Sequence, residues 1–259
     1  MTDEEQAETK FGVIVDNSKP VTETPLIPVT VNFNPDQERD VDGRWAAGGS
    51  RGSISPKRKE EIKKLTPVKK GWEESGVRPV FERMLQANPR LTNDGMIKAR
   101  KAAEGYLGGS SRQMNSVLRQ GGSSQQTTQA IMFFSACEPM DKGSVVVRGM
   151  NLKEDSIKDM FKKGQIFTDR GFMSTTNDSE QALEFAHKGG GSRDRVPVMM
   201  KLTDKRGLGR VVPDDLLKYE GEQEILYPPG TRVKITEVKA VKNKWTDIRI
   251  YTLIKGEIL

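Results

Sequence analysis

The sequence predicts an α+β fold, because helical patterns fill the first part of the chain and strand patterns fill the second. Apolar residues recur at helical spacing over 76–91 and 94–107. Valine-rich strand patterns begin at Ser144, and one helical pattern, 179–189, lies among them. This order differs from a regular βαβ alternation, and no GxGxxG or GxxxxGK[ST] motif follows a strand. A Rossmann or P-loop nucleotide site is therefore not supported.

Local signals place the individual elements. Asn93 and Asp94 precede the second helical segment and are its expected N-cap. Three more helical patterns cover 110–120, 127–137 and 154–164. The strand patterns read, in chain order, SVVVRGM, GFMSTT, VPVMMKLT, QEILYPPG, RVKITEVKAV and DIRIYTLI. We therefore expect helices first and then a β-rich half with one inserted helix.

Residues 1–70 are expected to form a poorly ordered, basic arm, and residues 71–259 a single folded domain. The arm is rich in proline, glycine and serine, which disfavour regular structure, and only VTVNF within it is typical of a short strand. The lysine-rich run 55–70 could contact nucleic acid, anionic lipid or an acidic protein surface, but it is more typical of a solvated helix or linker. No aromatic residue interleaves it to stack on bases, so nucleic acid is disfavoured as a partner.

Composition limits the classes of protein and site. The chain has 259 residues and a formal net charge of +6. It has no apolar run long enough to span a bilayer and no apolar signal-peptide centre near its start, so we expect a soluble protein with no membrane partner. The single cysteine, Cys137, excludes an internal disulfide and is expected to be a buried thiol. The single histidine, His187, excludes a histidine-rich metal site and is expected at a helix end, so no metal cofactor is predicted.

Two segments place polar side chains beside an apolar strand. In VVVRGM, Arg148 follows three valines, and a guanidinium fork held on a rigid strand suits a pyrophosphate. In GFMSTTND, the hydroxyl groups of Ser174, Thr175 and Thr176 can position other polar groups in a cleft. Each segment alone is also typical of an ordinary surface strand, so neither identifies a site by itself.

A third segment, KYEGEQEILYPPGT, carries a pair of glutamates. Side chains alternate faces along a strand, so Glu222 and Glu224 are expected on the same side. Two close carboxylates repel each other and attract a cation such as a guanidinium. Glu220 and Glu222 have the same spacing, but the apolar run ILY and the turn PPG follow Glu224 directly and favour the second pair. A pair of exposed surface glutamates is the alternative.

Taken in this order, the arginine strand, the serine–threonine strand and the Glu-x-Glu strand resemble the R–S–E class of ADP-ribosyltransferases. This class includes clostridial binary-toxin enzymes, vertebrate ecto-transferases and phage transferases. QMNSVLRQ, LEFAHKG and EILYPPGTRVKI are similar to further motifs of the class, and GYL lies where the class often has a tyrosine. The likeness runs from about Val77 to the C-terminus, with Ser-Thr-Thr in place of the usual Ser-Thr-Ser. It implies an ADP-ribosyltransferase fold in which the helical part packs on two mixed β-sheets that form an NAD-binding cleft.

The resemblance also implies roles for individual residues. Arg148, helped by Arg119, would bind the pyrophosphate of NAD+, and the Gly149 backbone would hold the nicotinamide amide. Ser174 would orient Glu224, whose carboxylate would bind the ribose. A fixed carboxylate there stabilises the positive charge that develops as the glycosidic bond breaks.

Further residues complete the implied site. The other members of the cofactor-binding set are Asn115, Thr175, and the two candidates for stacking on nicotinamide, Phe172 and Phe185. Glu222 would orient the attacking guanidinium, since in this class Glu-x-Glu goes with arginine acceptors and Gln-x-Glu with other side chains. DDLLKYE would form the acceptor-reading loop, with Tyr219 as a contact.

The predicted function is therefore NAD+-dependent mono-ADP-ribosylation of an arginine on a target protein. An NAD+ glycohydrolase that uses water as acceptor and a non-enzymatic binding module on the same fold are the alternatives. QERDVDGRWAAGGS resembles a segment of minor head and capsid-associated proteins of tailed phages. This second likeness implies a phage or prophage effector that residues 1–70 tether to capsid or head proteins in the virion. Its site of action would be the host cytoplasm.

Overall fold

The computed structural model describes residues 54–67, 75–188, 195–217, 223–242 and 249–259. Within these ranges a helical region comes first and a mixed β-sheet follows, so the predicted α+β class is confirmed. The helices are α1 Pro56–Leu65, α2 Val77–Ala87, α3 Asn93–Gly105, α4 Ser111–Arg119, α5 Gln125–Ser135, α6 Glu154–Met160 and α7 Ser179–His187. A π-helical turn, Tyr106–Ser110, joins α3 to α4, and a 3-10 turn spans Asp214–Leu216.

Helix α1 lies inside the segment that the sequence assigns to the arm. Ser55 caps it by accepting a hydrogen bond from the backbone N–H of Arg58, and Pro56 fits the first helical turn. The side chain of Ile62 is completely buried in the core that the helices form. The helical region therefore begins before residue 70, because one apolar face among the lysines is enough to dock α1. The predicted VTVNF strand lies outside the described residues.

The cap of α3 differs from the predicted one by one residue. Thr92, in an extended conformation, accepts a hydrogen bond of 3.1 Å from the backbone N–H of Gly95. Asn93 is already the first helical residue, and Asp94 lies in the first turn. The prediction of Asn93 and Asp94 as the cap was wrong because the threonine hydroxyl performs the same function one position earlier.

Nine strands form one sheet within the described residues. They are β1 Glu138–Pro139, β2 Val145–Lys153, β3 Ile166–Asp169, β4 Met173–Thr176, β5 Arg195–Asp204, β6 Arg210–Val211, β7 Glu224–Tyr227, β8 Thr231–Lys242 and β9 Arg249–Ile258. Their order is β1-β6-β7-β4-β2-β5-β9-β8-β3, and only β5 and β9 pair in parallel. All six predicted strands are present, whereas the short strands β1, β3 and β6 were not predicted.

Two neighbouring strands in the middle of the sheet are joined by very little pairing. Strands β4 and β2 pair through a single residue pair, Val147 and Thr176, whereas β2 and β5 pair along their whole length. The described strands therefore form one continuous sheet, and the two predicted sheets correspond to its halves on either side of the β4–β2 junction. Because β4 and β2 meet only at this point, the strands on either side can diverge and leave room for polar side chains between them.

Candidate active site

Ser174 and Glu224 lie side by side on neighbouring strands. The hydroxyl of Ser174 on β4 donates a hydrogen bond of 2.7 Å to Oε1 of Glu224, the first residue of β7. In the antiparallel register Ser174 is opposite Leu226, so Glu224 is its diagonal neighbour on the same face. Both side chains are partly buried. The structure therefore brings together the two residues that the sequence predicted to act as orienting hydroxyl and catalytic carboxylate.

The alternation along β4 separates its hydroxyl groups. Thr175 points to the face opposite Ser174, where its hydroxyl donates a hydrogen bond of 2.9 Å to the carbonyl of Ile225. It is buried there, beside the sheet core that contains Met173 and Tyr227. The Thr175 hydroxyl therefore joins two strands, and the predicted contact of this residue with the cofactor stays a prediction.

Arg148 occupies the middle of β2, between two residues that face helix α7. A Cβ atom on Gly149 would lie 1.7 Å from the carbonyl oxygen of Ala182, so α7 can pack on β2 only because this residue is glycine. Val147 also packs against α7. Since side chains alternate, Arg148 lies on the opposite face of β2. Its Nη1 atom is buried and has no hydrogen-bond partner among the described residues.

Asp169, the last residue of β3, faces two arginines. Its carboxylate accepts two hydrogen bonds from the Arg119 guanidinium, from Nε at 3.2 Å and from Nη2 at 3.3 Å. Nη1 of Arg148 lies 3.7 Å from Oδ2 of the same carboxylate, close enough for an ion pair but too far for a hydrogen bond. The structure thus brings together Arg119 and Arg148, the two residues predicted to bind pyrophosphate.

Asn115 connects α4 to the strand that carries Ser174. Its Oδ1 atom accepts a hydrogen bond of 2.8 Å from the backbone N–H of Phe172, and its Nδ2 atom donates one of 3.2 Å to the hydroxyl of Tyr106. A Cβ atom on Gly171 would lie 2.8 Å from Oδ1, so this contact also requires glycine. Asn115 is buried and acts as an internal brace, and its predicted contact with the cofactor stays a prediction.

Phe172 does not have the exposed ring that stacking on nicotinamide requires. It is only 2% exposed and packs edge-on against the rings of Tyr106 and Phe134 in the helical core. That candidate was wrong because the strand β4 begins inside this aromatic cluster. Phe185 on α7 is 49% exposed, with Nζ of Lys188 5.0 Å from its ring centre, and it remains a candidate.

Tyr106 is buried, and its hydroxyl accepts a hydrogen bond of 3.2 Å from Nδ2 of Asn115, although the sequence suggested no role for it beyond a family likeness. Burial raises the pKa of its hydroxyl to about 12, and the negative charges of Glu224 and Asp169 act in the same direction. The phenol is therefore neutral at physiological pH and available as a hydrogen-bonding group. Its signal in the sequence was the GYL motif.

Asp169 was missed by the sequence interpretation. In TDRGF it reads as an ordinary acidic residue of a surface turn, and nothing in its neighbourhood indicates that two distant arginines converge on it. Two predicted acceptor-site residues, Tyr219 and Glu222, lie outside the described residues.

The remaining sequence predictions concern single residues and whole classes of site. Cys137 is buried, as predicted, and burial raises the pKa of its thiol to about 12. His187 is the last residue of α7, as predicted. Among the described residues there is no group of three histidine, cysteine, aspartate or glutamate side chains placed to hold a metal ion. The same residues include no helix long and apolar enough to cross a membrane.

Comparison with known proteins agrees with this arrangement. Residues 82–256 match the model of the ADP-ribosyltransferase exoenzyme family. The mono(ADP-ribosyl)transferase SpvB of Salmonella typhimurium is 29% identical over 98 residues, which are 36% of this chain but only 14% of SpvB. The Vis toxin, an ADP-ribosyltransferase from Vibrio splendidus, has a similar fold, with a TM-score of 0.51 and 20% identity over 78% of this chain and 83% of Vis. The chain therefore belongs to the ADP-ribosyltransferase exoenzyme family, within the R–S–E class of mono-ADP-ribosyltransferases that use NAD+ as substrate.

Proposed function

We propose that this protein transfers ADP-ribose from NAD+ to arginine side chains of target proteins. The observation that carries the proposal is the hydrogen bond of 2.7 Å between Ser174 and Glu224. A carboxylate held by a neighbouring hydroxyl loses rotational freedom and keeps its charge in a fixed place. Such a fixed charge stabilises a cationic transition state without reorganisation during the reaction.

The arginine pair supplies the binding site for the pyrophosphate. Nη1 of Arg148 is buried without a hydrogen-bond partner in the described part of the chain, and the Arg148 side chain is 19% exposed. A buried, unsatisfied guanidinium nitrogen costs free energy unless a ligand completes its hydrogen bonds. A phosphate oxygen of NAD+ is the group that fits, because guanidinium and phosphate form charge-assisted hydrogen bonds. Arg119, 31% exposed, offers its outer edge to the same ligand.

Glu224 then acts on the ribose next to the nicotinamide. Breaking the bond between ribose and nicotinamide gives the sugar oxocarbenium character, as in glycoside hydrolysis. The carboxylate of Glu224 stabilises that charge and accepts a hydrogen bond from the ribose hydroxyl. Ser174 holds Oε1 of this carboxylate in a fixed place. The Gly149 backbone and the exposed ring of Phe185 are the proposed contacts for nicotinamide.

Arginine as acceptor is supported by the sequence at position 222. Glu222 precedes Glu224 by two residues, and a carboxylate attracts and orients a guanidinium, whereas a neutral amide does not. Tyr219, three residues earlier, is the proposed contact with the target protein.

Two small acceptors that differ in one group test the acceptor class. The wild-type protein is incubated with NAD+ and either agmatine, which carries a guanidinium, or cadaverine, which carries an ammonium in a chain of similar length. We expect an ADP-ribosyl adduct by mass spectrometry with agmatine alone, and none in Glu224→Gln. Nicotinamide release without any adduct would favour an NAD+ glycohydrolase. No NAD+ turnover would favour a binding module.

The setting in which the protein acts is a separate part of the proposal. The target is an arginine of a host cytoplasmic protein, and residues 1–70 tether the chain to phage capsid or head proteins before delivery. This part rests on the sequence of the arm, most of which lies outside the described residues. Proteomics of purified phage particles tests it, since a packaged effector must be present in intact particles and its absence contradicts the tether.

A further inference from the structure

We propose that Asp169 is the positioning residue of the pyrophosphate site, which holds Arg119 and Arg148 in the arrangement that binds NAD+. The inference rests on the proposed function and adds to it a residue that touches no substrate itself. It explains why a buried carboxylate stands at a site for a dianionic group, where a negative charge alone would weaken binding.

The contacts of the carboxylate are unequal. Arg119 receives a two-pronged contact, with Nε and Nη2 at 3.2 and 3.3 Å from different carboxylate oxygens. Such a fork fixes the plane of the guanidinium as well as its position. Arg148 is held only by charge, at 3.7 Å, so its Nη1 atom keeps its hydrogen-bonding capacity. One arginine is thus locked by Asp169, and the other is steered by it while remaining available to ligand.

Asp169 is itself fixed from three sides. Its Oδ1 atom accepts a hydrogen bond of 3.0 Å from the backbone N–H of Gly171. Its backbone carbonyl accepts one of 2.8 Å from the N–H of Gly230, and in the β3–β8 ladder it pairs with Thr231. The side chain is 7% exposed. A carboxylate with so little freedom is a rigid support for the two arginines.

The same residue links the elements that carry the site. Arg119 reaches Asp169 from α4, and Arg148 reaches it from β2. Three residues after Asp169, the N–H of Phe172 is held by Asn115, which lies one turn before Arg119 on α4. Two contacts therefore pin α4 to the segment 169–172, from which β4 leads directly to Ser174.

Asp169 could affect pyrophosphate binding through its negative charge or through its positioning of the arginines, and the two effects predict opposite changes in affinity when the charge is removed. Two arginines and one aspartate leave a single net positive charge to attract a pyrophosphate that carries two negative charges. If Asp169 only added negative charge, neutralising it would tighten binding. If Asp169 positions the arginines, neutralising it weakens binding despite the gain in positive charge. Asp169→Asn separates the two, because asparagine has the same shape and can still accept the N–H of Gly171 through Oδ1.

The experiment measures ADP-ribose binding by titration calorimetry, since this probe carries the pyrophosphate but cannot be turned over. We expect Asp169→Asn to raise the Kd roughly tenfold or more, the effect of losing one charge-assisted hydrogen bond. The KM for NAD+ should rise in parallel, with a much smaller change in kcat. Equal or tighter binding by Asp169→Asn would overturn the inference.

Two further variants separate positioning from general stability. Asp204→Asn makes the same chemical change at a completely buried carboxylate, which accepts the backbone N–H groups of Arg206, Gly207 and Gly209. It should lower Tm without raising the Kd, and an equal rise in Kd there would overturn the inference. Arg119→Gln combined with Asp169→Asn should bind about as weakly as either single variant, because the two residues act as a unit. Additive effects would contradict the positioning role.

The same experiments distinguish this inference from the function on which it rests. A wild-type protein that shows no NAD+ turnover overturns the proposed function and the inference with it. An active wild type whose affinity for ADP-ribose is unchanged in Asp169→Asn overturns the inference alone.

Discussion

The hydroxyl of Ser174 donates a hydrogen bond of 2.7 Å to the carboxylate of Glu224 on the neighbouring strand, on the sheet face shared with Leu226. The next residue along the strand, Thr175, turns its hydroxyl to the opposite face and bonds to a backbone carbonyl. The pair Ser174 and Thr175 is therefore a matched set, in which one hydroxyl serves the site and the adjacent one serves the sheet.

Ser174→Ala should lower kcat by roughly tenfold to a hundredfold, the range expected when a hydrogen bond to a charged group of the transition-state site is lost. The KM for NAD+ should change little, because the pyrophosphate contacts are untouched. Steady-state nicotinamide release measures both constants. Thr175→Val is the control: it should lower the unfolding free energy by about 1 kcal/mol, the cost of one hydrogen bond, and leave kcat intact. A larger kcat loss in Thr175→Val than in Ser174→Ala would contradict these assignments.

The two glutamates should separate transfer from bond cleavage. Glu222→Gln is expected to abolish adduct formation with agmatine while NAD+ hydrolysis continues, because the attacking guanidinium loses its carboxylate partner but water does not need it. Glu224→Gln is expected to abolish both reactions, since the charge on the ribose loses its stabilising group. Parallel measurement of adduct and free nicotinamide gives the ratio for each variant. Equal loss of both reactions in Glu222→Gln would remove the acceptor role of Glu222.

Gly149→Ala should destabilise the fold, because the new Cβ would lie 1.7 Å from the carbonyl oxygen of Ala182 and α7 would have to move away from β2. We expect a loss of about 1–3 kcal/mol or more, the usual cost of forcing extra volume into a packed site. Chemical denaturation measures it. Gly108→Ala is the matched control, since a Cβ there meets nothing within 4 Å. A stable Gly149→Ala with unchanged activity would show that α7 adjusts freely.

The sequence was most informative for features that depend on a single strand or helix. The valines before Arg148 and the apolar run after Glu224 correctly predicted two strands. Long apolar patterns likewise predicted α2, α3, α4 and α5. These signals are local, and neighbours within a few residues decide the outcome.

The errors arose where contacts between distant segments decide the outcome. Asp169 acquires its role only because α4 and β2 both approach the end of β3, and no local pattern reports such a meeting. The sequence near Phe172 does not show that its ring is buried. That burial depends on Tyr106 and Phe134, which lie far away in sequence. The basic segment before residue 70 contains α1, because one buried isoleucine outweighs several exposed lysines.

The stability of the protein should fall in alkaline solution, and two substitutions can separate the contributions of Cys137 and Tyr106 to this fall. Burial raises the pKa of the Cys137 thiol from 9.0 to about 12 and that of the Tyr106 hydroxyl from 10.0 to about 12. Above the lower value of each pair, the unfolded chain releases a proton that the folded protein keeps. The contribution of each group is therefore complete below that pH and declines by about 1.4 kcal/mol per pH unit until the folded group also ionises.

Urea denaturation at pH 8 to 11 would measure the decline, with each variant compared with wild type at every pH. Cys137→Ala should make the unfolding free energy fall less steeply with pH above about pH 9, and Tyr106→Phe should do so above about pH 10. Each variant lacks a group that releases its proton on unfolding. Tyr106→Phe should also start from a lower stability at pH 8, since it loses the hydrogen bond from Asn115. If both variants follow the wild-type slope, these two groups do not govern the alkaline transition, and other ionisations such as those of the lysines do.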